Sequence, residues 1–429
     1  MNLTSADTPP PSRSPPLLFV LALFVGSGCA ALIYEIVWFQ LLQLVIGSSA
    51  VSLGVLLGTF MGGMCLGSLL LPHLISVRRH PLQVYATLEL AIGVIALGVL
   101  YGLPPLGRFY ATHVGTNSAG VWERCVISAI CLLLPTMLMG ATLPAAARWV
   151  ENTPRGVSWL GFFYGGNIAG AVAGCLFAGF FLLRVYDMPT ATFVAASINL
   201  LVATGAIAFS IFIPAVRRHS TLAPSAQAHV RLHPGTKLVY LTIALSGMTA
   251  LAGEVVWTRL LSLMLGATAY TFSIILAVFL IGLGIGSTVG ASLARSRIDP
   301  RAALGFCQLL LAGAIAWTAY MLTRSLPFWP IDLEWNYSPW FNFQLDLLRC
   351  AWAILPAACL WGASFPLALA AVAGPGDDQG RLVGSVYAAN TIGAIIGALV
   401  TSVILVRSIG TQGVQEAMIG VSMFAAVLV

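Results

Sequence analysis

Glu35 is the only Asp, Glu, Lys or Arg between Leu17 and Val77, in the stretch SGCAALIYEIVW (27–38). A carboxylate in so apolar a run costs several kcal/mol unless it is paired or hydrated. Glu254 fills the same slot in SGMTALAGEVVW (246–257). Gly28 and Ala31 precede Glu35 by seven and four residues, and Gly247 and Ala250 precede Glu254 in the same way. This spacing puts each acid on one helix face with small residues, a face suited to close helix approach and directed away from lipid. Two readings follow. The glutamates are a proton- or cation-handling pair, or they are structural acids near the outer helix ends, hydrated or bonded there. Arg259, five residues beyond Glu254, is poorly spaced to pair with it along one helix, and its counterpart after Glu35 is Gln40.

Other polar residues sit inside apolar runs. Asn167 and Asn390 each follow a tyrosine (Tyr164, Tyr387) by three residues, and a buried amide must bridge helices or meet a substrate. Glu89 corresponds to Gln308, an asymmetry that a substrate pathway would show. Glycines recur at every fourth residue: Gly54, Gly58 and Gly62; Gly166, Gly170 and Gly174; Gly282, Gly286 and Gly290. Ala389, Gly393 and Gly397 continue the series. Such ladders allow close helix packing and the sliding of one helix bundle past another. None opens a phosphate-binding turn. The eight cysteines form no CxxC pair, and the six histidines have no metal-like spacing. No cofactor, metal site or catalytic constellation is expected.

These residues need a membrane around them. Of 429 residues, 59% are hydrophobic and 8% charged, against about 25% charged in soluble domains. The chain is read as an all-α polytopic membrane protein whose main partner is the lipid bilayer. Its net charge of +6 reports loop orientation rather than nucleic-acid binding. A Pro- and Ser-rich tail (1–16) is expected to be disordered. Twelve spans follow, near 17–38, 48–72, 83–103, 125–147, 158–183 and 190–214, then 237–257, 267–293, 302–322, 347–372, 382–406 and 412–429. The polar connection 216–236 separates residues 17–215 from residues 237–429. With both termini cytoplasmic, thirteen Arg and Lys lie inside and seven outside, as the positive-inside rule requires. The aromatic segment 326–343 is expected to be an interfacial loop.

The two halves are copies. Ser27–Ser68 and Ser246–Ser287 agree at 17 of 42 positions without a gap. GATLP (140–144) and YGGNIAGAVAG (164–174) recur as GASFP (362–366) and YAANTIGAIIG (387–397). Six spans per copy is an even number, so both copies enter the membrane in the same direction. The result is two parallel six-helix repeats, the major-facilitator arrangement. There, spans one and seven line the centre, and Glu35 could face Glu254 across the pseudo-twofold axis.

The duplicated Ser-Gly…Glu-x-Val-Trp opening, the GATLP/GASFP turns and the YAANTIGAIIG run resemble the membrane portion of fused major-facilitator/spermidine-synthase proteins, over nearly the whole chain from Phe19. In that family a soluble aminopropyltransferase-like domain commonly follows. This chain is still apolar at Val429, and the residues for aminopropyl transfer are expected to be absent from it. The resemblance implies a bacterial inner-membrane protein that moves a small solute, cationic or polyamine-related, by alternating access. Alternatively, it implies a membrane scaffold for a separate synthase-like enzyme, without transport of its own. Glu35, Glu254, Glu89, Asn167, Asn390 and Arg259 are the candidates for substrate or ion binding.

Overall fold

A computed structural model describes residues 17–47, 49–74, 80–113, 118–150, 156–212, 236–329, 338–373 and 379–429. The tail 1–16 and the central connection up to residue 235 lie outside the described residues. The first six long helices are α1 (Leu17–Ile46), α2 (Ser49–Leu74), α3 (Pro81–His113), α4 (Ser118–Val150), α5 (Gly156–Phe177) and α6 (Met188–Phe212). The second six are α7 (Thr236–Leu265), α8 (Ala269–Ala294), α9 (Pro300–Tyr320), α10 (Pro339–Val372), α11 (Gln379–Val400) and α12 (Gly410–Leu428). Among the described residues there is no strand. Eleven helices are long and apolar enough to cross a membrane, and α12 completes the expected twelve as a shorter helix carrying Gln412, Gln415 and Glu416.

Local chemistry sets several helix ends. Asp187 stands before α6. Hydrogen bonds from Thr190, through its side chain and its N–H (2.9 Å), hold the Asp187 carboxyl below the usual carboxylate range. Thr268 and Asp299 accept from the N–H groups of Thr271 and Arg301 at the starts of α8 and α9. The helices α1 and α7 run eight residues past the expected ends at 38 and 257. Gln40 and Gln43 do not stop α1. Gly47 and Gly266 are the stops, at φ +83° and +98°, a left-handed conformation that glycine adopts without penalty. Similarly, α10 starts at Pro339, so the last residues of the expected aromatic loop are helical.

The helices pair in the same way in both halves: α1 with α5, α2 with α4 and α3 with α6, then α7 with α11, α8 with α10 and α9 with α12. Glycine brings the backbones together. A Cβ added at Gly170 or Gly174 would overlap the carbonyl oxygens of Val25 or Cys29, and one at Gly28 that of Asn167. In the second half, Gly393, Gly397 and Gly247 stand in the same way against Ala244, Met248 and Asn390. The halves meet through α2 on α11 and α5 on α8. There Gly54 packs on the Ser402 hydroxyl, and Gly179 packs on the Ser273 hydroxyl as its pseudo-symmetric image.

Two ladders that look alike in sequence therefore serve different contacts. Gly54, Gly58 and Gly62 face α11 across the halves, whereas Gly282, Gly286 and Gly290 face α10 within the second half. The counterparts of Gly282 and Gly286 are Gly63 and Gly67, which meet Thr136 and Met137 of α4. Both fifth helices also loosen at matching points, in π turns at Ala178–Leu182 and Thr401–Leu405.

Replacing Gly174 or Gly397 by Ala is expected to cost about 1–3 kcal/mol, because a backbone carbonyl cannot rotate out of the way as a side chain can. Gly98→Ala, at a position with open space around it, should be neutral or slightly stabilising. Thermal unfolding of the three variants in detergent checks this ordering.

Candidate functional site

The two acids that the sequence paired are both buried in the interior, on helices of different halves. Glu35 and Glu254 each lie eighteen residues after the start of their helix and eleven before its end. They stand in mid-helix, and the expected position near the outer helix ends is corrected, because α1 and α7 continue to Gly47 and Gly266. Glu35 is 5% exposed and Glu254 3%. The carboxylates lie within Coulombic reach of each other and of Cys175 on α5. The thiol of Cys175 donates to the backbone carbonyl of Ser273 on α8 (3.2 Å), across the halves. Around them the apolar core is continuous from α1, α2 and α5 to Leu251 and Val255 of α7, Phe272 and Leu276 of α8 and Ala398 of α11.

Among the described residues neither acid has an ion-pair partner, and Glu254 Oε1 is buried without a hydrogen-bond partner. Arg259, considered from sequence as a partner of Glu254, lies one turn further along α7 and faces a cavity instead.

That cavity, about 1060 Å³, opens between the halves at the end of the bundle that carries Gly47 and Gly266. Its deepest wall includes Phe39, Leu53 and Val255, all buried. The Phe39 ring packs on Phe272 with centroids 4.4 Å apart. Phe39 lies one turn beyond Glu35 on α1 and Val255 follows Glu254 on α7, while neither acid is among the described residues that line the cavity. Polar groups line the upper wall, among them Gln40, Gln43, Thr258, Ser262 and Asn342. Thr258 Oγ1 is buried and unpartnered among the described residues.

The rim joins the halves through aromatic rings. Phe180, in the π turn that extends α5, packs on Tyr270 (5.8 Å), Trp340 (6.5 Å) and Phe343 (4.7 Å) of the second half. Arg184 lies over the Phe180 ring at 5.7 Å. The Tyr270 hydroxyl donates to Asp346 (3.3 Å), whose other oxygen takes the Arg349 pair.

The remaining candidates lie elsewhere. Glu89, expected on a substrate pathway, is fully buried between α1, α3 and α6. It accepts from Ser27 (2.6 Å) and from the Asn199 amide (2.5 Å), and Asn199 in turn accepts from Tyr34 (2.9 Å). This network belongs to the first half's interior, and none of its residues lines the cavity between the halves. At the equivalent Gln308, the amide donates to Ser364 (2.9 Å). Asn167 and Asn390 are half-buried, with carbonyls against Gly28 and Gly247, at the α1–α5 and α7–α11 contacts.

Arg184, Tyr270, Asp346 and the Phe180 cluster were not singled out in the sequence. They come from the ends of three helices, α5 with its extension, α8 and α10, that no sequence spacing connects. One signal was available: Gln40 and Gln43 three residues apart, and Thr258 and Ser262 four apart, mark polar faces on α1 and α7 beyond the glutamates.

The backbone is similar to those of solved transporters. A bacterial homolog of the human lysosomal transporter Spinster, inward-facing and occupied, matches with a TM-score of 0.64 at 14% identity, over 98% of this chain and 97% of that one. A bacterial homologue of the iron transporter ferroportin, inward-facing, matches at 0.61 and 13%, over 96% of each chain. The POT family transporter PepTSo matches at 0.63 and 10%, over 96% of each chain. The fold is thus all-helical and major-facilitator-like. No protein-family model matches the sequence, and no curated protein does.

The two kinds of buried acid should respond oppositely to substitution. Glu89→Ala strands the Ser27 hydroxyl and the Asn199 amide, and is expected to cost about 3 kcal/mol. Glu35→Gln and Glu254→Gln remove carboxylates that lack counter-ions, and should leave thermal stability in detergent unchanged or higher. A loss at Glu35→Gln as large as that at Glu89→Ala would mean that Glu35 has a structural partner.

Proposed function

We propose that this protein is a secondary transporter of a small solute, working by alternating access with Glu35 and Glu254 as its ion-coupling groups. One observation carries the reading: two buried carboxylates, one from each half and without counter-ions among the described residues, on the two helices whose next turns line a cavity between the halves. A buried charge is costly, and polar groups at such depth serve ion or proton pathways in membrane proteins far more often than they serve stability. The interface supports motion. Across the halves, α2 meets α11 and α5 meets α8 with glycine on one side of each contact: Gly54 on Ser402, Gly58 on Leu399, Gly62 on Ile395 and Gly179 on Ser273, a close approach that supports sliding of one bundle past the other. The likeness to solved transporters adds the fold.

The cycle follows from the geometry. With the cavity open, solute enters above Phe39 and Val255. Displacement of the Phe39–Phe272 layer connects the cavity to the acids, which then take up a proton or small cation. Neutralising the pair removes the repulsion between two like charges across the interface, so the halves can close at this end and part at the other. With the termini cytoplasmic, as the arginine distribution favours, the cavity faces outward across a bacterial inner membrane. The polyamine expectation rests on the resemblance alone, so the proposal leaves the solute open at this stage.

Proteoliposomes with an imposed pH gradient, tested with labelled organic acids, amino acids, peptides and polyamines, check the reading. Gradient-driven accumulation should fall to background in the Glu35→Gln/Glu254→Gln double variant, while solute exchange without a gradient persists. Accumulation at the normal rate in that variant would remove the glutamates from the coupling. Absence of any flux, with stable capture of a soluble synthase-like protein, would favour a scaffold.

A further inference from the structure

The charge of the cavity wall is opposite in sign to that of the acids beneath it. Arg184, from the extension of α5, and Arg259, on α7, both line the cavity and are exposed to it. They come from different halves. Among the described residues neither forms an ion pair, and Arg184 lies over the face of Phe180 near Tyr270. The only acid among the described lining residues is Asp346, already engaged by Arg349 and by the Tyr270 hydroxyl. A ligand entering here therefore meets two free guanidinium groups beside aromatic rings. The side-chain amides of Gln40, Gln43 and Asn342 line the same cavity.

We propose that the cavity binds an organic anion with an apolar body, its carboxylate or phosphate bridged between Arg184 and Arg259 and its body laid against Tyr270 and Phe39. A guanidinium offers paired N–H donors in a plane that matches a carboxylate or phosphate. At about 1060 Å³ the space suits a molecule of drug size or smaller. A polyamine would instead bring its ammonium groups to two like charges, which disfavours the cationic solute expected from sequence. Since the arginines belong to opposite halves, one bound anion ties the halves together at the rim, where Phe180 already meets Tyr270 and Phe343. The proposal rests on the transport reading and completes it. An anion moving inward against a negative-inside potential goes uphill unless a cation accompanies it, and the glutamate pair supplies that place.

Binding, measured without transport, separates this proposal from the one it rests on. The full chain in phosphatidylcholine nanodiscs is titrated calorimetrically with phenylacetate, benzoate, inorganic phosphate, spermidine and putrescine. The aromatic carboxylates should bind. Arg184→Gln and Arg259→Gln should each weaken them at least tenfold with unchanged thermal stability, and Arg259→Lys should restore part of the loss. Binding of the polyamines in place of the carboxylates, or carboxylate binding indifferent to both arginine substitutions, overturns the proposal. Phosphatidylglycerol in the nanodisc distinguishes the two sources of such an anion. A soluble solute keeps its affinity or is competed only weakly, whereas no carboxylate binding together with arginine-dependent retention of that lipid assigns the cavity to a headgroup and overturns the solute. Carboxylate binding without gradient-driven flux in proteoliposomes would leave the anion site standing and remove the transport reading alone.

Discussion

Two helices whose backbones touch cannot rotate about their axes, and the contacts of α1 on α5 and α7 on α11 are of this kind. Gly170 and Gly174 rest on carbonyls of α1, and Gly28 returns the contact from the other side. Gly393, Gly397 and Gly247 do the same in the second half. Each contact fixes which face of α1 or α7 is turned toward the molecular axis. Glu35 and Glu254 lie two turns along that same face from Gly28 and Gly247. Moving the acids off the axis would require turning the helices, and turning them would drive side chains into backbone. Lipid supplies no hydrophobic drive for helix association, so this dispersion-rich contact is also what holds each bundle together.

Within that frame the three buried acids near the core divide by what surrounds them. Glu89 has hydrogen-bond donors on both oxygens, and its network ties α1, α3 and α6 into one body. Glu254 keeps one oxygen without any partner. Around Glu35 and Glu254 are aliphatic side chains, a thiol and another carboxylate. The first arrangement lowers energy by satisfying a charge; the second holds a charge where it is unfavourable. Stability alone does not account for keeping the second arrangement twice. A rigid half and an unrelieved acid at its edge are the two parts that a rocking mechanism needs.

Much of this was legible in the sequence. Period, length and the 42-residue internal match gave the helices, their number and their twofold plan, and the duplicated Glu gave the centre. The glycine ladders were legible as packing, but not their partners. Spacing by four describes Gly54–Gly58–Gly62 and Gly282–Gly286–Gly290 equally well, although one faces the opposite half and the other its own. Helix ends were misplaced where polar residues line a cavity instead of a loop, as Gln40 and Gln43 do. Glu89 was misread because its donors, Ser27 and Asn199, are 62 and 110 residues away in the chain. The cavity charge was hidden for the same reason: Arg184, Arg259 and Asp346 converge only after folding.

The vertical order of the site follows from the cost of charge in a membrane. Near the bilayer boundary a guanidinium keeps part of its hydration, so Arg184 and Arg259 can stay charged without partners at the cavity wall. Deeper, hydration is lost, and only a group that can shed its charge by taking a proton or cation is sustainable; a carboxylate can do this, and a guanidinium cannot. Guanidiniums above and carboxylates below is thus the arrangement in which each ion stands at the depth it tolerates. In the proposed cycle the Phe39–Phe272 contact, one ring from each half, is what must move to open the acids to the cavity. In the proposed cycle, a ligand that bridges the halves at the arginines and a cation taken up by the glutamates would act on the same interface, and their coupling would need no longer pathway than the one turn between Glu35 and Phe39.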